Sequence, residues 1–446
     1  MFQSILKLSI PMVVGQLAFA SMTFIDTLLM GQLGVAEIAG GGLGSVVYQF
    51  FFVVGIGVLV ATANLIAFAR GEKNETEIHR ALLSGVVIVF LLFAITGLLI
   101  WYAAPVLLWM GQEQVVVNMA ETYLRVVVWS LLPAFGFILL RSLILGIGDP
   151  ALILPISVIA AALNYPVSYV LMTGQFGLPA LGLQGIALGT CIISFGMFIS
   201  LAWLVYRKPL FKPYPFWRGW QSFSAHQLGE TLRLGVPIAM AHAMEIGLFS
   251  AAAILIGWLG VQALAAHQVA LQCSAITFMI PLGISQAVSV KVGELYGSRQ
   301  RKALLRAARA GLVLGTSSAL CAAMLFWLLP EWLVSLFIDA QTANNFDEIL
   351  DIAVAILFVV ALFQFVDAWQ VIIMGALRGF KLGASPTIIT IFTYWGVGFP
   401  VAYFLLESYG AAGVWAGVGI GLGASALLLG VLFAFTLKRS KGYFSV

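Results

Sequence analysis

Three carboxylates, Asp26, Glu245 and Asp367, stand deep inside long apolar stretches, while the other acidic residues gather near the ends of such stretches or between them. A charged side chain at the centre of a bilayer costs at least about 2.5–3.5 kcal/mol on insertion scales, so its default use is to handle a cation. A carboxylate in a partly dehydrated cavity prefers to hold a proton, a metal ion or an organic ammonium, and Na+ at Glu245 and Asp367 is one such use. The competing reading is a protonated acid in an interhelical hydrogen bond, which supports packing and carries no traffic. Asn164, just before Tyr165-Pro166, offers a neutral oxygen that shares the Asp26 site or serves as interhelical glue. His242 lies three residues before Glu245 and so near its face, where it relays a proton or simply packs. His267, Gln268 and Gln272 run along one stretch, with Gln286 further on, either as a polar lining beside Glu245 or as ordinary helix contacts. Phe363, Trp369, Tyr394, Trp395, Met240 and Met244 lie within reach of the acids. Rings hold cations and Met repacks around varied shapes, which suits a polyspecific pocket, although in so apolar a chain most such residues face lipid or a neighbouring helix.

These residues are positioned by membrane spans. Hydrophobic residues make up 62% of the 446, charged residues 9%, and the mean hydropathy is +1.05. A bilayer core takes about 20 apolar residues per helix, and twelve candidates are centred roughly on 20, 53, 92, 134, 162, 194, 246, 276, 317, 364, 395 and 424. Runs of this length satisfy their backbone in lipid only as helices. With both termini cytoplasmic, every one of the 22 Lys and Arg residues except Arg125 falls in an inner loop or at an inner helix end, which is the bias the positive-inside rule requires. The net charge of +4 is therefore topological and implies no nucleic acid partner. The expected place is a bacterial inner membrane, multi-pass and monomeric, with no cleaved signal, since the first apolar run is full length and carries Asp26. Cys191, Cys273 and Cys321 have neither Cys-x-x-Cys spacing nor the even number of a disulfide framework. The Asn74-Glu-Thr76 sequon falls in an inner loop and carries little weight.

The chain is duplicated. Leu6-Lys7-Leu8-Ser9-Ile10-Pro11 returns as Leu232-Arg233-Leu234-Gly235-Val236-Pro237, and Gly31-Gln32-Leu33-Gly34-Val35 as Gly257-Trp258-Leu259-Gly260-Val261, both at an offset of 226. Later the register drifts, with Gly146 set against Gly375 and Gly182-x-x-Gly185 against Gly410-x-x-Gly413. Each copy holds six spans, an even number, so the repeats are parallel, an architecture of transporters that rock around a site near the midplane. The expected domains are a first bundle over 1–206, a polar cytoplasmic linker over 207–231 and a second bundle over 232–446. None of the carboxylates is duplicated: Asp26 pairs with Ala252, Glu245 with Phe19 and, at the later offset of 229, Asp367 with Ile138. Scaffold residues would have been copied with the scaffold, so the halves have specialised.

Met244-Glu245-Ile246-Gly247-Leu248-Phe249, Ala265-Ala266-His267-Gln268-Val269-Ala270-Leu271, and Asp367-Ala-Trp-Gln370 with Gly375-Ala376-Leu377-Arg378-Gly379-Phe380-Lys381 resemble the MATE multidrug and toxic compound extrusion transporters, in the branch similar to NorM. The resemblance spans the whole chain. It departs at Leu382-Gly383, where many relatives carry an acidic residue, and at Leu145, where a Glu is common. It implies a V-shaped pair of six-helix bundles that export cationic amphipathic compounds in exchange for Na+ or H+, with no cofactor beyond that ion. A flippase for a lipid-linked headgroup is the nearest alternative, and would want basic residues in the cavity. A channel lacks its ring of filter residues. An enzyme lacks a nucleophile–base pair, a metal-ligand spacing among the four His residues, and a Gly-rich phosphate loop.

Overall fold

The computed structural model describes residues 1–217, 219–337 and 346–444, so Arg218, one of the basic residues expected in the inner loops, lies outside the described residues. Among them every regular element is helical. The long helices are α1 (Phe2–Leu33), α2 (Val35–Gly71), α3 (Glu75–Trp101), α4 (Gln114–Ile147), α5 (Ile153–Thr173), α6 (Leu183–Arg207), α7 (Ala225–Gly257), α8 (Val261–Gly297), α9 (Arg301–Leu328), α10 (Phe346–Gly379) and α11 (Ala384–Arg439). Eleven helices, rather than twelve, are long and apolar enough to span a membrane because α11 is a continuous segment of 56 residues. It breaks at Gly410, whose φ of 57° and ψ of −140° lie outside helical space, so the arms 384–409 and 411–439 supply the eleventh and twelfth spans. The chain is an all-α polytopic membrane protein with twelve spans.

Backbone approach at small residues closes the arms of α11. A Cβ added to Gly417 would lie 2.2 Å from Ala402 N, one on Gly413 2.3 Å from the Leu405 carbonyl oxygen, and one on Gly421 2.6 Å from Gly398 Cα. The paired numbers fall on one side as they rise on the other, which is an antiparallel hairpin. The same device joins α5 to α6, where a Cβ on Gly185 would lie 2.6 Å from the Leu171 carbonyl and one on Gly189 2.9 Å from Ser168 Cα. Gly182, at the head of α6, has φ 53° and ψ −126°, nearly the conformation of its repeat mate Gly410. Where helices lack a hydrophobic drive to associate, small residues at the contact supply the packing.

The described helices form two compact units. One is Val14–Ala239; the other joins Met1–Val13 to Met240–Val446. Both α1 and α7 therefore contribute to both units, and each divides just after an interior proline, Pro11 or Pro237. A Cβ on Gly57 would lie 2.9 Å from Ala239 N, and one on its repeat mate Gly283 would lie 2.8 Å from Val13 N. Ala239 and Val13 are themselves 226 residues apart, so the repeat extends to the exchanged helix ends.

Packing corrects the repeat register of α4 and α10. Gly146 sits against Ile66 and the Ala63 carbonyl, whereas Gly379 sits against Val292 and the Ser289 carbonyl. Ser289 and Val292 are the mates of Ala63 and Ile66 at an offset of 226, so Gly146 matches Gly379, and the offset here is 233 rather than 229. The mate of Asp367 is then Ala134 and not Ile138, although the carboxylate still faces an apolar counterpart. The corrected offset exceeds the expected one by four residues, close to one helical turn, which leaves the helix face unchanged, so the local sequence did not betray the slip.

The Asn74 sequon is spent on structure: its side chain caps α3 by accepting from Glu77 N at 3.2 Å. Gly417→Val is expected to disrupt the α11 hairpin by at least the roughly 1–3 kcal/mol of an overpacked contact, read as a lowered unfolding midpoint and a smaller monodisperse fraction in detergent. Gly196→Ala, where an added Cβ meets nothing within 4 Å, is expected to leave both unchanged.

Candidate functional site

Within Val14–Ala239, Asp26, in the later half of α1, is buried among apolar helices. The hydroxyl of Thr190 on α6 donates to Asp26 Oδ2 at 2.8 Å, and Asp26 Oδ1 is buried without a hydrogen-bond partner. The side-chain amide of Asn164 on α5 is buried beside the same carboxylate. Pro166 has no N–H to give the carbonyl of Ala162 one turn back, so this stretch of α5 offers a free backbone oxygen. Tyr48 and Tyr123 are buried within electrostatic range of Asp26, and the Tyr48 hydroxyl is fixed by Ser130 Oγ at 2.8 Å. Asp26 and Asn164 thus meet, and the chemistry offered is carboxylate, hydroxyl and amide oxygen. Thr190 gave no signal in the sequence, where it is one hydroxyl in an apolar run.

Within the other unit, Glu245 on α7 remains about a quarter exposed, with His242 Nδ1 3.6 Å from its Oε2. Asp367 on α10 is buried, and its Oδ1 has no hydrogen-bond partner. The Glu245 charge acts on Asp367, on the buried Tyr394 of α11 and on Arg378 of α10. Asp367 and Arg378 are eleven residues apart, about 16 Å along the helix. Arg378 is buried, with Nη2 donating to Met374 Sδ at 3.0 Å. A basic residue near a helix end reads as a topology charge in the sequence, which concealed its burial in the field of Glu245. Tyr394 belongs to a stretch of π-helix, Phe392–Gly398, an element that concentrates at functional sites. Gly247 on α7 lets the Trp395 ring approach, and a Cβ there would lie 3.1 Å from Cζ2.

His267 points inward from α8. Trp415 Nε1–H donates to its Nδ1 at 3.1 Å, and the rings of Phe249, Phe363 and Trp415 pack against one another at centroid distances of 5.5–6.3 Å. Because Nδ1 accepts, the neutral imidazole carries its proton on Nε2. Phe363 is a buried member of this cluster, whereas Gln268 and Gln272 face outward on another side of α8. Gln364, absent from the sequence expectation, is buried and donates from Nε2 to Ser274 Oγ at 3.2 Å. Trp369 turns toward α9 and donates to Thr316, and Met240 is exposed.

Two six-span repeats, each holding one buried carboxylate, Asp26 or Asp367, define a helical membrane transporter. The family model MatE matches residues 11–170 and again 237–404, two matches that begin at the repeat offset of 226, and the chain belongs to this family of transporters. It is 36% identical over 439 residues to a probable multidrug resistance protein NorM of Pseudomonas syringae pv. tomato, covering 98% of this chain and 95% of that one. A second NorM, from Agrobacterium fabrum, is 36% identical over 448 residues, covering 98% and 94%. A crystal structure of a MATE transporter in a bent conformation superposes with a TM-score of 0.89 at 19% identity, covering 99% of this chain and 97% of that one. The chain is accordingly a multidrug transporter and not an enzyme.

Thr190→Val removes the donor to Asp26 while keeping side-chain shape. A hydrogen bond to a charged group contributes about 1.5–3 kcal/mol, so the variant is expected to unfold at a lower temperature than the wild type in detergent, read as the thermal unfolding midpoint.

Proposed function

We propose that the chain is an antiporter that exports cationic amphipathic compounds in exchange for Na+ or H+ by alternating access. Glu245, Asp367 and Asp26 bind the coupling ion, and Asn164, His242, Phe363 and Tyr394 shape the surroundings. The observation that carries this reading is the pair of buried carboxylate oxygens, Asp26 Oδ1 and Asp367 Oδ1, that have no hydrogen-bond partner. A buried carboxylate is tolerated when something balances its charge, and a cation that comes and goes meets that need. The rings of Tyr394, Trp395 and Phe363 add the apolar and π surface that an organic cation uses. When solute and ion compete for the same negative charges in alternating states, exchange is obligatory.

The same reading places the chain as a monomer in a bacterial inner membrane. Both termini and the linker 207–231 are cytoplasmic, and bundles 1–206 and 232–446 are the repeats that rock. A flippase would place free cations where phosphates pass; the buried cation Arg378 instead lies in the field of Glu245, which favours the antiporter.

The test is efflux of a fluorescent lipophilic cation from proteoliposomes under an inward Na+ gradient at equal pH, or an inward proton gradient without Na+. Efflux is expected to follow one of the gradients. Glu245→Gln and Asp367→Asn are each expected to abolish gradient-driven efflux while the protein still inserts and elutes as a single species. Efflux indifferent to both gradients, or wild-type rates in both variants, would sink the proposal.

A further inference from the structure

One face of α9 bears a charge pattern that drug export does not use. The helix packs on α8 and α10 through Ala303, Leu304, Ala307 and Ala308, with Gly311 set against Val288 and Ile372. On the opposite face the exposed residues follow helical spacing: Lys302, Arg306 and Arg309, then Val313, Leu320 and Met324. A single outward stripe therefore changes from three cations to hydrocarbon within one turn. From Arg309 to Leu328 the helix rises about 28 Å, close to the roughly 30 Å of a bilayer's hydrocarbon core. With the far end of α9 at one boundary of that core, Arg309 lies at the other, and Arg306 and Lys302 stand one and two turns further out, at headgroup level.

Among the described residues none of the three is in an ion pair; the nearby pair, Lys291 with Glu294, is on α8. Cations in the opening turns of a helix also work against its dipole, which favours anions there. Nor is the stripe inherited scaffold. The repeat mates on α3 are Thr76, Arg80 and Leu83, and Arg80 is already paired with Glu77 at 2.7 Å. The second repeat has thus gained unpaired positive charge where the first carries one neutralised cation.

We infer that Lys302, Arg306 and Arg309 form a binding site for an anionic phospholipid of the leaflet at the α8–α9 turn, preferably one with two phosphates. Arginine at the hydrocarbon boundary extends its guanidinium toward phosphate and can hold it with two hydrogen bonds. Three cations over about 10 Å of helix rise fit two phosphodiesters held close together better than one.

The full-length protein, purified and placed in phosphatidylcholine nanodiscs, is titrated with diphosphatidylglycerol. Bound lipid is counted by native mass spectrometry, and stability is followed as the thermal unfolding midpoint. The wild type and Arg80→Gln are expected to retain the lipid and to unfold at a higher temperature in its presence. In the double variant Arg306→Gln with Arg309→Gln, affinity is expected to fall about 30-fold, as follows from removing two cations that each contribute about 1 kcal/mol near an anionic surface. If that variant inserts poorly, Arg309→Gln alone is expected to weaken binding roughly fivefold on the same ground. Undiminished affinity in the arginine variants would overturn the site. An equal upward shift of the midpoint with inorganic phosphate would overturn the assignment to lipid.

Discussion

Helix packing at backbone distance is the interaction on which everything else in this molecule depends. In lipid the hydrophobic effect no longer presses one helix against another, so association rests on contacts that only small residues permit. Gly57 against Ala239, Gly185 against Leu171, Gly283 against Val13 and Gly417 against Ala402 are such contacts, and each has a counterpart in the other repeat. They set the approach of α2 to α7, of α5 to α6, of α8 to α1 and of the two arms of α11. The carboxylates inherit their positions from that scaffold: Asp26 meets Thr190, and Glu245 acts on Asp367, because glycines elsewhere have set the axes.

On this shared framework the two repeats have built different interiors. Around Asp26 the polar groups are the Thr190 hydroxyl of α6 and the Asn164 amide of α5. Around Glu245 and Asp367 they are a second carboxylate, a buried guanidinium and a phenol, beside a wall of Phe249, Phe363 and Trp415. An oxygen-rich pocket and a charged pocket with an aromatic wall do not ask the same thing of an ion. Duplication supplied the architecture, and the unduplicated residues supplied the division of labour.

Much of this was legible in the chain. Twelve apolar runs, the bias of basic residues and the 226-residue echo follow from bulk properties of a bilayer and survive any single misreading, even the continuity of α11. Asp26, Glu245 and Asp367 stood out because a carboxylate in hydrocarbon is expensive wherever it points. Thr190, Gln364 and Arg378 did not, since a hydroxyl, an amide or a cation near a helix end has cheap innocent uses. The direction of a side chain was also hidden. His267 and Gln268 are adjacent in sequence, yet one meets Trp415 inside and the other faces outward, and only the packing of α8 decides which. The register slip between α4 and α10 escaped for a related reason: four residues are close to one whole turn and restore the same face, so the local pattern looks right at the wrong offset.

The exchange of helix ends between the units has a temporal side. Residues 1–13 are made well before the rest of their unit, residues 240–446, and the unit that begins at residue 14 lacks its last element until 225–239 are made. Neither unit can be completed as its own half emerges. Residues 1–13 wait for α8, and the contact of Val13 with Gly283 stays open until that helix is made. Such long-range closure is slow and leaves intermediates exposed. A transporter laid out this way commits its two halves to one another during biogenesis, before any solute has been moved.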